Sequence, residues 1–307
     1  MEDNNKFTLV GIQEGSSEHI AAPHYSYWKS VFRKFFSSKV AIIMLVISLF
    51  VIVMSFIHPL FSHYDPTQTP HINDFTMRFI RPNFQYPFGT DNVGNSLFDA
   101  VWFGTRSSLE VALISTAITI VLGVIVGMIW GYSKKLDAFM IEVYNILYNI
   151  PFILLVMILV YVLGQGKWQL IFALSVTSWL GTAYFIRVQV MIIRDREYNL
   201  ASRCLGTPTR KVLIHNILPY LISVIVTDVA RTVPSFISYE VFLSYIGVSM
   251  GAKTASLGYL IQNYAQYMSS ASYLFWIPVF ISALISVSLY IVGQTLADAS
   301  DPRTHMI

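Results

Sequence analysis

Eighteen consecutive residues, 40–57 (VAIIMLVISLFVIVMSFI), carry no charged side chain. A helix of about 20 mostly apolar residues crosses the hydrocarbon core of a bilayer, and a soluble domain has no way to cover such a run. Similar stretches follow at 111–130, 139–163, 168–186, 217–248 and 273–296. The second has Gly123 and Gly127 at a spacing that lets two helices approach closely. The third carries Glu142 near its start and Pro151 inside it. The fifth is the least uniform, interrupted by Asp228, Arg231, Pro234 and Glu240. The expected fold class is all-α, a polytopic membrane protein of about six transmembrane helices.

Composition agrees. The 307 residues are 55% hydrophobic and 12% charged, with a mean hydropathy of +0.58. Soluble domains carry about 25% charged residues, so the few charges here must be gathered between spans. A net charge of +3 is too small to point to nucleic acid. One cysteine excludes an intramolecular disulfide framework and a cysteine metal site, and 15% aromatics exclude a disordered chain.

The polar stretch before residue 40 makes the first span read as a retained anchor rather than a cleavable signal. Basic residues sort by side. Lys6, Lys29, Arg33, Lys34, Lys39, Lys134, Lys135, Arg187, Arg194, Arg196, Arg203, Arg210, Lys211 and Arg303 fall on one side. Arg78, Arg81, Arg106, Lys167 and Lys253 fall on the other. The positive-inside rule places the first group and both termini in the cytoplasm. The expected division is an N-terminal cytoplasmic segment, 1–39, and a transmembrane domain, 40–307, with an outer loop at 58–105 and an inner loop at 191–216.

The inner loop is charged yet patterned. Residues 195–211 read DREYNLASRCLGTPTRK, and Tyr198, Ala201, Ser202 and Leu205 share one face of a helix. Gly206 suits a left-handed C-cap, and Thr207 can cap a second helix with Pro208 at its first position. Two readings follow. The short helix, with small Ala201 at its centre, docks in a partner's groove, or it lies on lipid headgroups as an interfacial amphipathic helix.

A resemblance bears on the choice. Ala201-x-x-x-x-Gly206, followed after nine residues by Asn216-Ile217-Leu218-Pro219, resembles the cytoplasmic EAA loop of ABC importer permeases. Leu200 stands at that motif's first Glu and Ser202 at its second Ala. Tyr86-Pro-Phe-Gly-Thr-Asp91-x-x-Gly94, Gly104-Thr-Arg106-x-Ser-Leu109, Asn149-Ile-Pro151, Glu240-x-Phe-Leu-Ser-Tyr-Ile-Gly247 and Val292-Gly-Gln-Thr-Leu-Ala-Asp298-Ala-Ser-Asp-Pro-Arg303 resemble, in order, runs of the dipeptide/oligopeptide permease family, specifically its C-type subunit. There are departures: Asn95-Ser96 where the family has Arg-Asp, and Asn216 where it has His, with His215 one place earlier.

The resemblance implies a type I ABC importer permease fold in a bacterial plasma membrane, forming an oligopeptide importer. Its partners would be a second, homologous permease (a heterodimer), two ATP-binding subunits, an extracellular peptide-binding protein and membrane lipid. Glu197, Tyr198, Ala201, Ser202, Leu205 and Gly206 would couple to an ATPase subunit. The chain itself would have no catalytic residues, metal or cofactor, ATP being used by the partner subunits. In keeping, no G-x-x-x-x-G-K-[ST] phosphate loop occurs in the chain.

Charges in the fifth span are candidates for the transport pathway. Asp228 and Arg231 are three residues apart, on one helix face, and can pair. They line the route for a zwitterionic peptide or form a structural pair, and Glu240 touches substrate or braces helices. Read as a proton relay, the three would suit an ion-driven secondary transporter of small polar solutes. A membrane enzyme is a third class, for which no nucleophile or metal set is present. His58, His63 and His71 have no metal-ligand spacing and read as surface residues. Cys204 reads as a small apolar filler, and the outer-loop aromatics as a cap over the pore mouth or a stacking surface for peptide.

Overall fold

The structure, a computed structural model, describes residues 27–62, 64–69, 71–248, 250–251 and 254–300. Lys6, His63, Lys253, Arg303 and residues 1–26 of the expected N-terminal segment lie outside these. Among the described residues the regular structure is helical, apart from one antiparallel bridge between Thr90 and Ser96. The all-α polytopic class expected from the apolar runs is what forms. Among the described residues five helical segments are long and apolar enough to cross a bilayer, and a bent pair makes a sixth if it crosses as one span.

The first span is α2 (Lys39–Phe61), entered from α1 (Tyr27–Ser37) through Ser38, whose hydroxyl accepts the Ala41 N–H. It buries Ser48, Val51 and Ser55 and leaves Ile43, Val46, Leu49 and Phe50 exposed, an apolar face suited to hydrocarbon.

The second span, α3 (Leu97–Tyr132), begins well before its apolar run, so the expected outer loop 58–105 contracts to 62–96. Polar residues do not end the helix, because Thr105 and Ser107 donate to the carbonyls of Val101 and Phe103 one turn back. Its start is set by Ser96, whose hydroxyl accepts the Asp99 N–H at 3.4 Å. Ser96 thus has a cap function where the family pattern has an acid.

The third span is not one helix. Chain after α4 (Lys134–Tyr148) turns by 80° into α5 (Phe152–Leu163). Pro151 has no N–H to continue the ladder and drives Ile150 away from helical geometry. The fourth, α6 (Lys167–Arg194), is followed by α7 (Glu197–Cys204) and the single turn α8 (Thr209–Lys211). A π-helical stretch, Val212–Ile217, leads into α9 (Leu218–Tyr245), which is continuous through Pro234. The helices α10 (Leu257–Tyr264) and α11 (Ser272–Ser300) complete the bundle.

At the end of the bundle opposite α7, segment 62–96 is tied down by two tyrosines. Tyr264 donates to Asp91 Oδ2 at 3.1 Å, and Tyr273 donates to the Thr90 carbonyl at 2.8 Å. Burial pushes the Asp91 carboxyl above its ordinary value, and hydrogen bonds from Asn95, Val93 and Tyr264 oppose the shift. Phe88 packs on Phe98 and Phe79 on Tyr267. His58 is not a surface residue: it is half-buried, edge-on to Phe98, with Nε2 3.2 Å from Asp99 Oδ1.

The seam between α3 and α6 organises the rest. Gly123, Gly127 and Gly131 recur every fourth residue of α3 and press against Thr182, Ala183, Ile186, Arg187 and Val190 of α6. A Cβ on Gly123 would lie 2.4 Å from Thr182 Cγ2, and one on Gly127 would lie 2.5 Å from the Ala183 carbonyl oxygen. Only glycine permits backbones this close. Polar pairs brace both ends of the seam. Glu110 accepts from Arg106 at 2.8 Å and from Lys167. Asp137 accepts from Trp130 Nε1 at 2.8 Å and from Arg187 at 2.9 Å.

The two clashes differ in kind, and that yields a test. Gly123→Ala is expected to lower the unfolding midpoint in detergent, overpacking costing about 1–3 kcal/mol, and Thr182→Gly is expected to restore much of it. Gly127→Ala meets backbone, so no side-chain change on α6 is expected to rescue it.

Candidate docking site

A short helix outside the bundle has few neighbours, so its position depends on specific polar contacts. α7 is held by its inward face, which is polar. Asn199 is fully buried, donates to the Ile193 carbonyl at 2.9 Å, and accepts from Asn216 Nδ2 at 3.1 Å. The same Asn216 amide lies 3.2 Å from Ser202 Oγ. Ser202 and Asn216, two of the places where the chain departs from the family pattern, therefore face each other.

Arginines fasten α7 to the spans. Arg194, nearly buried at the end of α6, donates Nη1 to the Gly131 carbonyl of α3 at 2.7 Å. Arg203 donates to the Arg194 carbonyl and lies 5.3 Å over the Tyr132 ring. Asp195 links both, with Arg194 Nε at 3.1 Å and Arg203 Nη2 at 3.4 Å. The guanidinium of Arg194, followed by that of Arg203, holds the Asp195 carboxyl below its ordinary value. Tyr198 stacks on Tyr220 of α9 at 5.9 Å, and partial burial, with Tyr220 beside it, raises its phenol.

The helix ends as its glycine dictates. Gly206 has φ +79°, its N–H donates to the Arg203 carbonyl at 2.9 Å, and the Thr207 N–H donates to the Ser202 carbonyl at 3.0 Å. These are the two bonds of a Schellman motif. Nothing lies within 4 Å of a Cβ placed on Gly206, so the turn stands clear of the bundle. The next cap is not Thr207 as expected but Pro208, whose carbonyl accepts from Lys211 and Val212. Proline's fixed φ already pre-shapes that turn.

The outward face is the apolar one. Leu205 is 85% exposed and Leu200 44%, with Glu197, Ala201 and Cys204 exposed between them. Of the expected coupling residues, Glu197, Ala201, Leu205 and Gly206 are presented outward, Tyr198 lies at the edge against Tyr220, and Ser202 turns inward. Cys204 is exposed rather than a filler, and with Leu200 it belongs to the outer face. Apolar periodicity alone misses Asn199, Arg194 and Arg203, because here the buried side is polar. With its polar groups turned inward, α7 presents the side chains of Leu200 and Leu205 away from the bundle.

The pathway candidates separate. Glu240 is fully buried and accepts from Ser108 of α3 at 2.5 Å and Ser244 at 2.8 Å; Ser108 in turn accepts the Leu257 N–H of α10 at 3.2 Å. This is a brace across three helices. Asp228 and Arg231 share a helix but form no ion pair. Asp228 turns toward Thr182 of α6, with a buried Oδ2 atom that has no hydrogen-bond partner. Arg231 is exposed, in one stripe of α9 with Ser235, Ser238, Phe242 and Tyr245. An arginine at this depth facing lipid would cost about 2.5–3.5 kcal/mol on insertion scales, so this stripe faces protein or water.

If the amide cluster fixes α7, Asn199→Ala will free it. Losing a buried hydrogen-bond partner costs about 1–3 kcal/mol, so amides 197–207 should exchange hydrogen about tenfold faster or more, with the spans unchanged. Ala201→Ser, on the outer face, should leave exchange as it is.

Residues 119–306 match the model of the binding-protein-dependent transport system inner membrane component family, and residues 26–82 match that of the N-terminal transmembrane domain of oligopeptide transport permease C. The chain is 53% identical to the oligopeptide transport system permease protein AmiD of Streptococcus pneumoniae, over 99% of this chain and 98% of that protein. It is 32% identical to the oligopeptide transport system permease protein OppC of Bacillus subtilis, over 97% of each. Among solved structures, a chain of the inward-facing MetNI methionine ABC transporter matches with a TM-score of 0.53 and 18% identity, covering 64% of this chain and 94% of that one; this is a likeness of fold.

Proposed function

The chain belongs to the family of binding-protein-dependent transport system inner membrane components, and from that membership we propose that it is a permease subunit of an ATP-driven oligopeptide importer. The observation that carries the reading is the inverted amphipathicity of α7. Its polar side is consumed by contacts to α3, α6 and the start of α9, while Leu200, Ala201, Cys204 and Leu205 stand free. The partner that covers this face is an ATP-binding subunit. Two such subunits serve a heterodimer of this chain and a second permease, and a peptide-binding protein delivers the solute. Relatives that match nearly the whole chain are named as oligopeptide permeases, which supports the substrate class.

The face bearing α7 is cytoplasmic, and with it both termini. Lys134, Lys135, Arg187, Arg194, Arg196, Arg203, Arg210 and Lys211 cluster at that end of the spans, the pattern expected of an inner surface. The chain carries no phosphate loop and uses the hydrolysis of its partners. It binds no cofactor of its own.

Coupling follows from the attachments. Closure of the ATPase pair displaces α7, and Arg194 carries the displacement to the end of α3 through Gly131, while Asn216 carries it to α9. The π-helical stretch Val212–Ile217 has wider, weaker turns than an α-helix and can take up strain at this junction. The α9 stripe from Arg231 to Tyr245 faces the second permease across the pathway, where a guanidinium has water or a counter-ion. Asp228 sits beside it, and Glu240 holds the far end of α9 in place.

Uptake by the assembled transporter in proteoliposomes tests this. Gly206→Asn keeps a residue that tolerates positive φ and is expected to retain coupling. Gly206→Val forces a β-branched residue into that region at about 1–3 kcal/mol, and peptide uptake is expected to fall at least tenfold while ATP hydrolysis continues. Uptake that continues in the absence of ATP and stops when a proton gradient is collapsed would instead establish an ion-driven transporter.

A further inference from the structure

The helix α1 has no part in the coupling scheme, yet it is unusually marked. Its sequence, YWKSVFRKFFS, contains no acidic residue. Val31 and Phe35 are buried against Leu296 and Ala299 at the end of α11, and Tyr27 donates to the Ser300 carbonyl at 2.7 Å. That packing fixes the helix at the end of the bundle that bears α7. Trp28, Phe32 and Phe36 are nevertheless 44%, 52% and 53% exposed. At about 100° per residue these aromatics form one stripe, and Lys29 and Arg33, both exposed, form a second directly beside it. Going round the helix, a packed face gives way to an aromatic stripe and then a basic one.

We propose that α1 is an interfacial helix that binds the anionic phospholipid surface of the leaflet on the α7 side. Charge decides the occupant: two adjacent cations with no acid on the helix match phosphate-rich headgroups, and the aromatic stripe matches the acyl boundary just beneath them. Placement agrees, because one residue, Ser38, separates α1 from α2, whose residues 40–57 are uncharged, so the helix lies where the chain enters the bilayer. Trp28, the first residue of the aromatic stripe, also lines a cleft of about 280 Å³ between α1 and α9, with Tyr27, Pro219, Tyr220, Ile222 and Ser223. A lipid chain entering that cleft lies against Tyr220, the residue on which Tyr198 of α7 stacks.

The test uses the full-length chain in nanodiscs, with Cys204 replaced by serine so that a nitroxide can be attached at Phe32→Cys alone. Power saturation is expected to show greater accessibility to oxygen than to a nickel chelate, the mark of the acyl boundary. Greater accessibility to nickel, or to neither because protein covers the site, overturns the proposal. Headgroup selection is read by mass spectrometry of phosphatidylglycerol retained after exchange into phosphatidylcholine. Each basic residue near the surface contributes about fivefold, so Lys29→Gln with Arg33→Gln should reduce retention at least tenfold. Lys34→Gln, which lies on another side of the helix, should not. Equal retention by the Lys29/Arg33 variant and the parent, at an unchanged unfolding midpoint, overturns the assignment as well.

Discussion

The close contact of α3 with α6 is the constraint on which the remaining structure depends. Membrane helices gain nothing by hiding apolar surface from lipid and associate through van der Waals contact and polar bonds. Three glycines on α3 bring its backbone against α6 at Thr182, Ala183 and Arg187. The last of them, Gly131, also supplies the carbonyl that Arg194 reaches. Were the seam wider, that bond would be lost and α7 would be left with its contacts to Asn216 and Tyr220 at the start of α9. Packing within the membrane thus sets the position of an element outside it.

That outer element reverses the ordinary rule of burial. Asn199 and Ser202 face inward, the exposed Arg203 reaches back to the Arg194 carbonyl, and Leu200 and Leu205 face out. Directional hydrogen bonds hold one orientation, so a push on the outer face moves α7 together with what it is bonded to. The exposed leucines supply apolar surface for whatever covers it. The eight residues of α7, with Leu205 that follows them, thus combine fixed attachment on one side with apolar surface on the other.

Much of this was legible in the sequence, for identifiable reasons. Long uncharged runs located the spans, since nothing else in a protein of this composition accommodates them. The break at Pro151 was visible as a residue but not as an 80° turn, because proline in a membrane helix either kinks it or ends it according to its neighbours. Apolar runs do not mark the start of α3, because its early turns carry Thr105, Arg106, Ser107 and Ser108, whose polarity is satisfied by backbone and by Glu110 or Glu240. Gly206 was readable as a left-handed cap. Apolar periodicity places the buried face of α7 a quarter-turn off, since it assumes that the buried side is apolar. The polar contacts at Asn216 and Arg194 join residues distant in sequence, and only the folded arrangement brings them together. Proximity in the helix suggested an Asp228–Arg231 pair, yet the two side chains point to different neighbours, one to α6 and the other out of the subunit.

Cys204 offers the most direct measurement of the central claim, that the outer face of α7 is gripped by an ATP-hydrolysing subunit. It is the chain's one cysteine, and it lies on that face, open in the isolated chain. Its alkylation by a membrane-impermeant maleimide should be rapid in the isolated chain. The account predicts that in the complete transporter the rate falls at least tenfold, and that ATP alters the protection. Equal rates in the isolated chain and in a transport-competent assembly would contradict it.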